Sequence, residues 1–178
     1  MLTLVSALIR ARQHFAHRPA FFTDDGRQIH WATHCDEVSR LAGALVALGL
    51  KPGDRFAILA ANSQRQATLI HAGFWMGAVA TPINTRLAPT EIAQILDDSQ
   101  PACIWVGATA LPIFDTPELS AWSDRAIDLE DSTGGAMNNS YTHYWRLPNR
   151  LMSLKPVKTH PLFCCIPAAL LVGARVLR

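Results

Sequence analysis

The chain has 178 residues, within the range of a single domain, and 49% of them are apolar against 17% charged, which excludes a solvated, disordered polymer. The formal net charge is only +2 and the arginines scatter from Arg10 to Arg178 without forming a basic stripe, so nucleic acid is not an expected partner. The four cysteines, Cys35, Cys103, Cys164 and Cys165, have no secretory signal beside them, which points to free thiols in a reducing, cytoplasmic setting rather than to a disulfide framework.

In chain order, Leu4, Ala7, Leu8, Ala11 and Phe15 recur at helical spacing after Thr3, a suitable N-cap, and the helix is expected to stop before Pro19. Arg10 and Arg12 interrupt this segment where a signal sequence needs a continuous apolar stretch. Ala20 to Thr23 and Gln28 to Trp31 flank Asp25-Gly26, a pair that readily takes positive φ, so a two-stranded hairpin is expected. A second helix is predicted from Thr33 to Leu48, with Val38, Leu41, Ala42, Leu45 and Leu48 on one face, Thr33 and Asp36 available as caps, and Gly49 as the stop.

Phe56 to Ala61 is a continuous apolar run without alternation, as suits a strand covered on both faces. Ser63 and Gln66 have capping-box spacing, Ala67, Ile70 and Phe74 form the next helical stripe, and Gly77 precedes a second apolar run, Ala78 to Ile83. The result is a β-α-β unit. A third core helix is predicted from Pro89, with Glu91 in its first turn and Ile92, Ile95 and Leu96 facing inward, followed by a buried strand over Ala102 to Val106. This alternation implies an α/β fold with a mainly parallel sheet and flanking helices. After Gly107 the pattern loosens to one short helix around Pro117 to Trp122 and an aperiodic polar stretch from Asp131 to His143. The apolar run Leu162 to Ala174 contains Pro167 and is shorter than the about 20 residues a membrane span requires, so it reads as core.

The segment Gly53 to Val106 closely resembles the N-terminal subdomain of the AMP-dependent synthetases and ligases, the adenylate-forming family, and acyl-CoA synthetases in particular. The hairpin into Trp31-Ala32-Thr33 and the stretch ALVALGLKPGD, Ala44 to Asp54, resemble the family's first core motif. GAVATPIN, Gly77 to Asn84, resembles its second. The resemblance implies an enzyme that joins a carboxylate, a fatty or other organic acid, to AMP using ATP and Mg2+, and then passes the acyl group to the thiol of CoA. It divides the chain into an N-terminal α/β subdomain over 1–130, a divergent or truncated replacement of the phosphate loop over 131–160, and an apolar tail over 161–178 that resembles the following core segment.

The first half-reaction expels pyrophosphate and needs amides, hydroxyls, a lysine and a metal around the phosphates. The family supplies these through a Ser/Thr/Gly-rich loop ending in Pro-Lys-Gly. Here Ser132, Thr133, Gly134 and Gly135 are either a remnant of that loop or an ordinary polar loop, because Ala136 to Asn139 follow them and the only lysines are Lys51, Lys155 and Lys158. Pro161-Leu162-Phe163-Cys164 resembles a Pro-Leu-Phe-His segment with Cys164 in the histidine's place, and Pro167 to Val176 resembles the helix and turn after it. The family's Mg2+-binding glutamate, ribose-binding aspartate and catalytic lysine have no counterpart. Arg86, just after a strand's carboxyl end, is either a contact to a CoA phosphate, a role carried by the resemblance, or an arginine that stabilises its own turn.

His30, His34 and Cys35, or His160, Cys164 and Cys165, are close enough in sequence to suggest a metal, but neither set has the spacing of a zinc site, and packing or surface accounts for them. Trp75 and Met76 read as core rather than as a cofactor platform, and no G-x-S-x-G nucleophile elbow occurs. The expectation is therefore the N-terminal portion of an acyl-CoA synthetase, truncated and inactive by itself. The alternative is a non-catalytic interaction module that keeps the fold and pairs with a partner chain, or with itself, through the apolar tail.

Overall fold

The computed structural model describes residues 3–129. The segments 131–160 and 161–178, with Ser132 to Gly135, His160, Cys164 and Cys165, lie outside the described residues. The chain begins with α1, Leu4–Phe15, whose N-cap Thr3 accepts from the Ser6 amide while Ser6 Oγ accepts from the Thr3 amide, a reciprocal box that satisfies two orphan donors. Val5 and Leu8 are its buried side chains, whereas Leu4 and Phe15, both placed on the inward face from sequence, are exposed.

The hairpin β1, Pro19–Phe22, and β2, Gln28–His30, pairs antiparallel. Gly26 turns it with φ +80°, and Asp25 is held by the Thr23 hydroxyl and the Arg27 guanidinium, which together pull its carboxyl down to about 2. α2 runs from Trp31–Ala47 and starts two residues earlier than expected. Neither Thr33 nor Asp36 caps it: the Trp31 and Ala32 amides donate to the carbonyls of Arg18 and Ala16, so the backbone leaving α1 satisfies the helix start. Asp36 instead pairs with Arg12 of α1 at 2.7 Å.

Four parallel strands form the central sheet in the order β4-β3-β5-β6: β3, Arg55–Leu59; β4, Val79–Ile83; β5, Ile104–Val106; and β6, Ala126–Asp128. Between them lie α3, Gln64–Met76, α4, Pro89–Ser99, and two 3-10 helices, Ala108–Asp115 and Pro117–Arg125. The last of these covers the short helix expected near Pro117, while the first and β6 have no counterpart in the sequence reading. The sheet separates two cores. Phe56 and Ile58 of β3 pack with Leu41 and Leu45 of α2, Leu69 and Met76 of α3, and Leu129. Ala57 and Leu59 point the other way, against Ile92 and Leu96 of α4 and Phe114, Leu119 and Trp122 of the 3-10 helices. Burial on both faces is what the unalternated run Phe56–Leu59 encodes.

On α3 the inward face differs from the expected Ala67, Ile70 and Phe74, which are only partly buried; Leu69, Ala72, Gly73 and Met76 are buried instead. Gly73 is the reason. It lets the helix backbone rest on the Phe56 ring, since an added Cβ would lie 2.6 Å from Phe56 Cε1, and this contact fixes the rotation of the helix. Ser63 caps α3, accepting from the Gln66 amide at 3.2 Å, and Gly77 closes it at φ +82°. Ser63→Ala is expected to cost about 1 kcal/mol, read as a lowered midpoint in urea unfolding, with Ser63→Asp keeping the wild-type value.

Candidate functional site

In the order β4-β3-β5-β6 the chain leaves β3 toward β4 and leaves β5 toward β6, so the direction of winding reverses between β3 and β5. Open α/β sheets place ligands outside the carboxyl ends of the strands at such a reversal. A cleft of about 480 Å³ opens at the adjoining carboxyl ends of β3 and β4, lined by Ala60, Ala61 and Asn62 after β3, Gln66 in the first turn of α3, and the end of β4 through Asn84, Thr85 and Arg86. Gln66 is buried and its amide nitrogen reaches the Ala60 carbonyl at 3.5 Å, so the carboxamide forms part of the cleft wall instead of completing the capping box.

Arg86 is exposed at the rim, in the short connection from β4 to α4. The Asn84 side chain fixes this connection by accepting from the Arg86 amide at 3.0 Å, and the Asn84 carbonyl accepts from Leu87 at 3.3 Å. At the far end Glu91 accepts from the Ala88 amide at 2.8 Å, pinning the start of α4. The Arg86 guanidinium thus projects from a turn tied at both ends. One guanidinium with neighbouring amides and carboxamides suits phosphate oxygens. Divalent cations prefer carboxylates, and this lining contains none, so no metal step is assigned to it.

A second cavity, about 250 Å³, lies toward the amino ends of the strands between Leu48–Leu50, Ala102–Cys103 and Asp124–Ile127. Two of its polar groups, Arg125 and Cys103, are already engaged or muted. Arg125 donates to the Pro101 carbonyl and stacks over Trp122, and burial pushes the Cys103 thiol up to about 12, which keeps it protonated and inert as a nucleophile. Lys51, the only lysine among the described residues, stands in the turn before β3, at the end of the sheet away from Arg86.

The remaining residues singled out from sequence fall elsewhere. Cys35 points its thiol at the Leu8 carbonyl, at 3.5 Å, and His34 bonds His71, so the sequence neighbours His30, His34 and Cys35 do not converge. Among the described residues no group of three or more metal-ligating side chains occurs. Met76 is buried in the core and Trp75 packs against it. Asn62 and Gln66 were not anticipated as cleft residues, and Asn84 only as part of a motif; their polarity beside two apolar strand ends was the available signal. Among the described residues no helix is long and apolar enough to cross a membrane.

A family model described as AMP-binding enzyme matches residues 8–148. The long-chain-fatty-acid–CoA ligase FadD13 of Mycobacterium tuberculosis is 44% identical over 77 residues, which are 43% of this chain and 15% of that protein. The solved N-terminal domain of FACL13 from the same organism superposes with a TM-score of 0.62 at 33% identity, covering 65% of this chain and 30% of that one. The anthranilate CoA ligase AuaEII, solved with anthranoyl-AMP, gives a TM-score of 0.69 at 26% identity and covers 90% of this chain and 30% of that one. The chain therefore spans less than a third of the length of these relatives.

Proposed function

The chain belongs to the AMP-binding enzyme family, and from that premise we propose that it forms the N-terminal α/β portion of an acyl-CoA ligase, providing scaffold and one CoA contact but not the adenylating centre. The observation that carries this reading is the distribution of charge around the cleft. Carboxylate adenylation expels pyrophosphate, and its transition state needs several cationic or N–H donors and a metal around the phosphates. The cleft offers a single guanidinium, Arg86, while Lys51 stands at the opposite end of the sheet. ATP and Mg2+ then belong to groups supplied beyond the described residues, and the carboxylate, a fatty or other organic acid, belongs with them.

Arg86 is assigned to a phosphate of CoA, which it holds at the rim without taking part in bond making. Coenzyme A, when bound, supplies the thiol that accepts the acyl group. The turn tied by Asn84 and Glu91 keeps the guanidinium in place before the ligand arrives, which lowers the ordering penalty of binding. Ser132, Thr133, Gly134 and Gly135, a phosphate-loop remnant or an ordinary polar loop, carry no step in this reading, and the segments 131–160 and 161–178 follow the α/β subdomain.

Two measurements test the proposal. The purified chain with ATP, Mg2+ and a panel of fatty acids is expected to release no pyrophosphate above background; sustained turnover refutes the scaffold reading. By calorimetry, Arg86→Ala is expected to weaken CoA binding about tenfold, as a charge-assisted contact of about 1.5 kcal/mol would. Equal affinity of the wild type and the variant removes Arg86 from the site.

A second reading, an interaction module that pairs with a partner chain, draws on the exposed apolar side chains Phe22 and Val79, the latter on the edge strand β4. Light scattering after size exclusion separates the two: a monomer with no affinity for the rest of a ligase excludes the module.

A further inference from the structure

The β1–β2 hairpin meets α2, and its Phe21 ring enters a small aromatic box there that the proposed function does not use. At its centre His34 of α2 is fully buried, and its Nε2 lies 2.8 Å from Nδ1 of His71 on α3. The Phe21 ring of β1 packs edge-on against His34 at 4.8 Å, and Trp31, the first residue of α2, packs at 5.9 Å. Phe74 stands 6.3 Å from His71 on the other side. The pair, 37 residues apart in sequence, therefore joins α2 to α3, and the Phe21 ring adds β1 to it.

The two nitrogens that face each other allow one hydrogen between them. His34 Nδ1 is buried and has no hydrogen-bond partner. The pair is best satisfied when His34 carries its proton on Nε2 and donates to His71, because Nδ1 is then only a bare lone pair. Adding one proton destroys this arrangement whichever ring receives it. A charged His34 bears N–H groups on both nitrogens, and the one on Nδ1 has no acceptor. A charged His71 presents its own Nδ1–H to His34 Nε2, which moves the His34 proton to Nδ1, again without an acceptor. In either case the buried Nδ1 of His34 is left with a hydrogen that nothing accepts, and the charge is added to a pair that burial favours as neutral.

We propose that His34 and His71 form an acid-released latch that ties α2 to α3 and seats the Phe21 ring of the β1–β2 hairpin on α2, closed while both imidazoles are neutral and opened by uptake of one proton. The titratable and charged groups on the surrounding elements do not relieve the charge. Arg12 of α1 and Asp36 of α2 are engaged with each other, Glu37 accepts from Gln64, and His30 ends β2. Of all these neighbours only His71 acts electrostatically on His34, and it opposes protonation, as burial does. Burial likewise lowers His71, so both rings stay neutral in the closed state.

Amide exchange on the full chain, followed by mass spectrometry at about pH 7.5 and about pH 5 and corrected for the intrinsic rate, reads the latch directly. Peptides covering 19–30 are expected to lose about tenfold in protection at the lower pH and to exchange faster than peptides from α4 at both values, because the hairpin opens before the whole fold unfolds. In the double variant H34Q/H71N, the glutamine replaces the Nε2 donor and the asparagine the Nδ1 acceptor without a titrating group, so hairpin protection is expected to be equal at both values. Unchanged protection in the wild type, equal protection of 19–30 and α4 at the lower pH, or the same acid loss in the double variant overturns the proposal. If the double variant does not fold, NMR of the wild-type imidazoles decides. Linked titration of His34 and His71 well below pH 6.5, accompanied by movement of the Phe21 ring signals, supports the latch, and independent titration near 6.5 with a static Phe21 overturns it.

Discussion

Replacing Gly73 with alanine is expected to destabilise the fold by about 3 kcal/mol, measured as a fall in the urea midpoint at constant m-value. The added methyl would sit 2.6 Å from Phe56 Cε1 and 2.7 Å from Cζ, closer than van der Waals contact permits. The Phe56 ring cannot swing away, because it is fully buried in β3 and enclosed by the core of α2 and α3. Relief must come from α3 itself shifting, which disturbs Leu69, Ala72 and Met76 together. The pairing is testable as a cycle. Phe56→Leu removes the two ring atoms concerned and costs about 1 kcal/mol alone, and G73A in that background should lose much less than in the wild type. Strict additivity of the two substitutions would mean that the ring is not what the glycine accommodates.

Acid is expected to weaken the fold nearly as much. Burial, assisted by His71, lowers His34 from 6.5 to about 4. The unfolded chain therefore takes up a proton near pH 6.5 that the folded chain refuses until about pH 4. Between those values the unfolded state binds more protons, so stability is fully present above 6.5 and declines as pH falls toward 4, by about 1.4 kcal/mol per pH unit or about 3 kcal/mol in total. Burial lowers His71 in the same direction. Glu37 acts against them: burial raises its carboxyl, so it contributes stability at low pH that is lost as pH rises through its folded value. Urea titrations at about pH 7 and about pH 4.5 should show the decline in the wild type and a much smaller one in His34→Gln; a flat wild-type profile would contradict the burial of a neutral His34.

Much of the fold was legible because its signals are local. The Thr3 cap, the Asp25-Gly26 turn, the unbroken run from Phe56 to Leu59 and the Gly77 stop each act within a few residues, and each is found where the sequence places it. What escaped depends on contacts distant in sequence. α2 begins at Trp31 because carbonyls of Ala16 and Arg18 satisfy its first amides, which no capping pattern reveals. The face of α3 was misread because Gly73 counts as nothing on a hydrophobicity scale, although its missing side chain is what lets the helix settle on Phe56. β6 is three residues long, too short to show a period, and the 3-10 helix Ala108–Asp115 carries Pro112 in its middle. At the candidate site Arg86 stands at the strand end that its position suggested. The cleft wall from Asn62 and Gln66 needed the β3 and β4 ends side by side.

The core enclosed by α2 and α3 is closed by Trp105, Ile127 and Leu129, the last portions of the described chain to emerge from a ribosome. Roughly the first hundred residues can thus form helices and the hairpin during synthesis and cover β3 in part, but both cores stay unfinished until β5 and β6 arrive. Translation past Leu129 therefore completes the described cores. A chaperone bound before that point would find Phe56 and Ile58 still available.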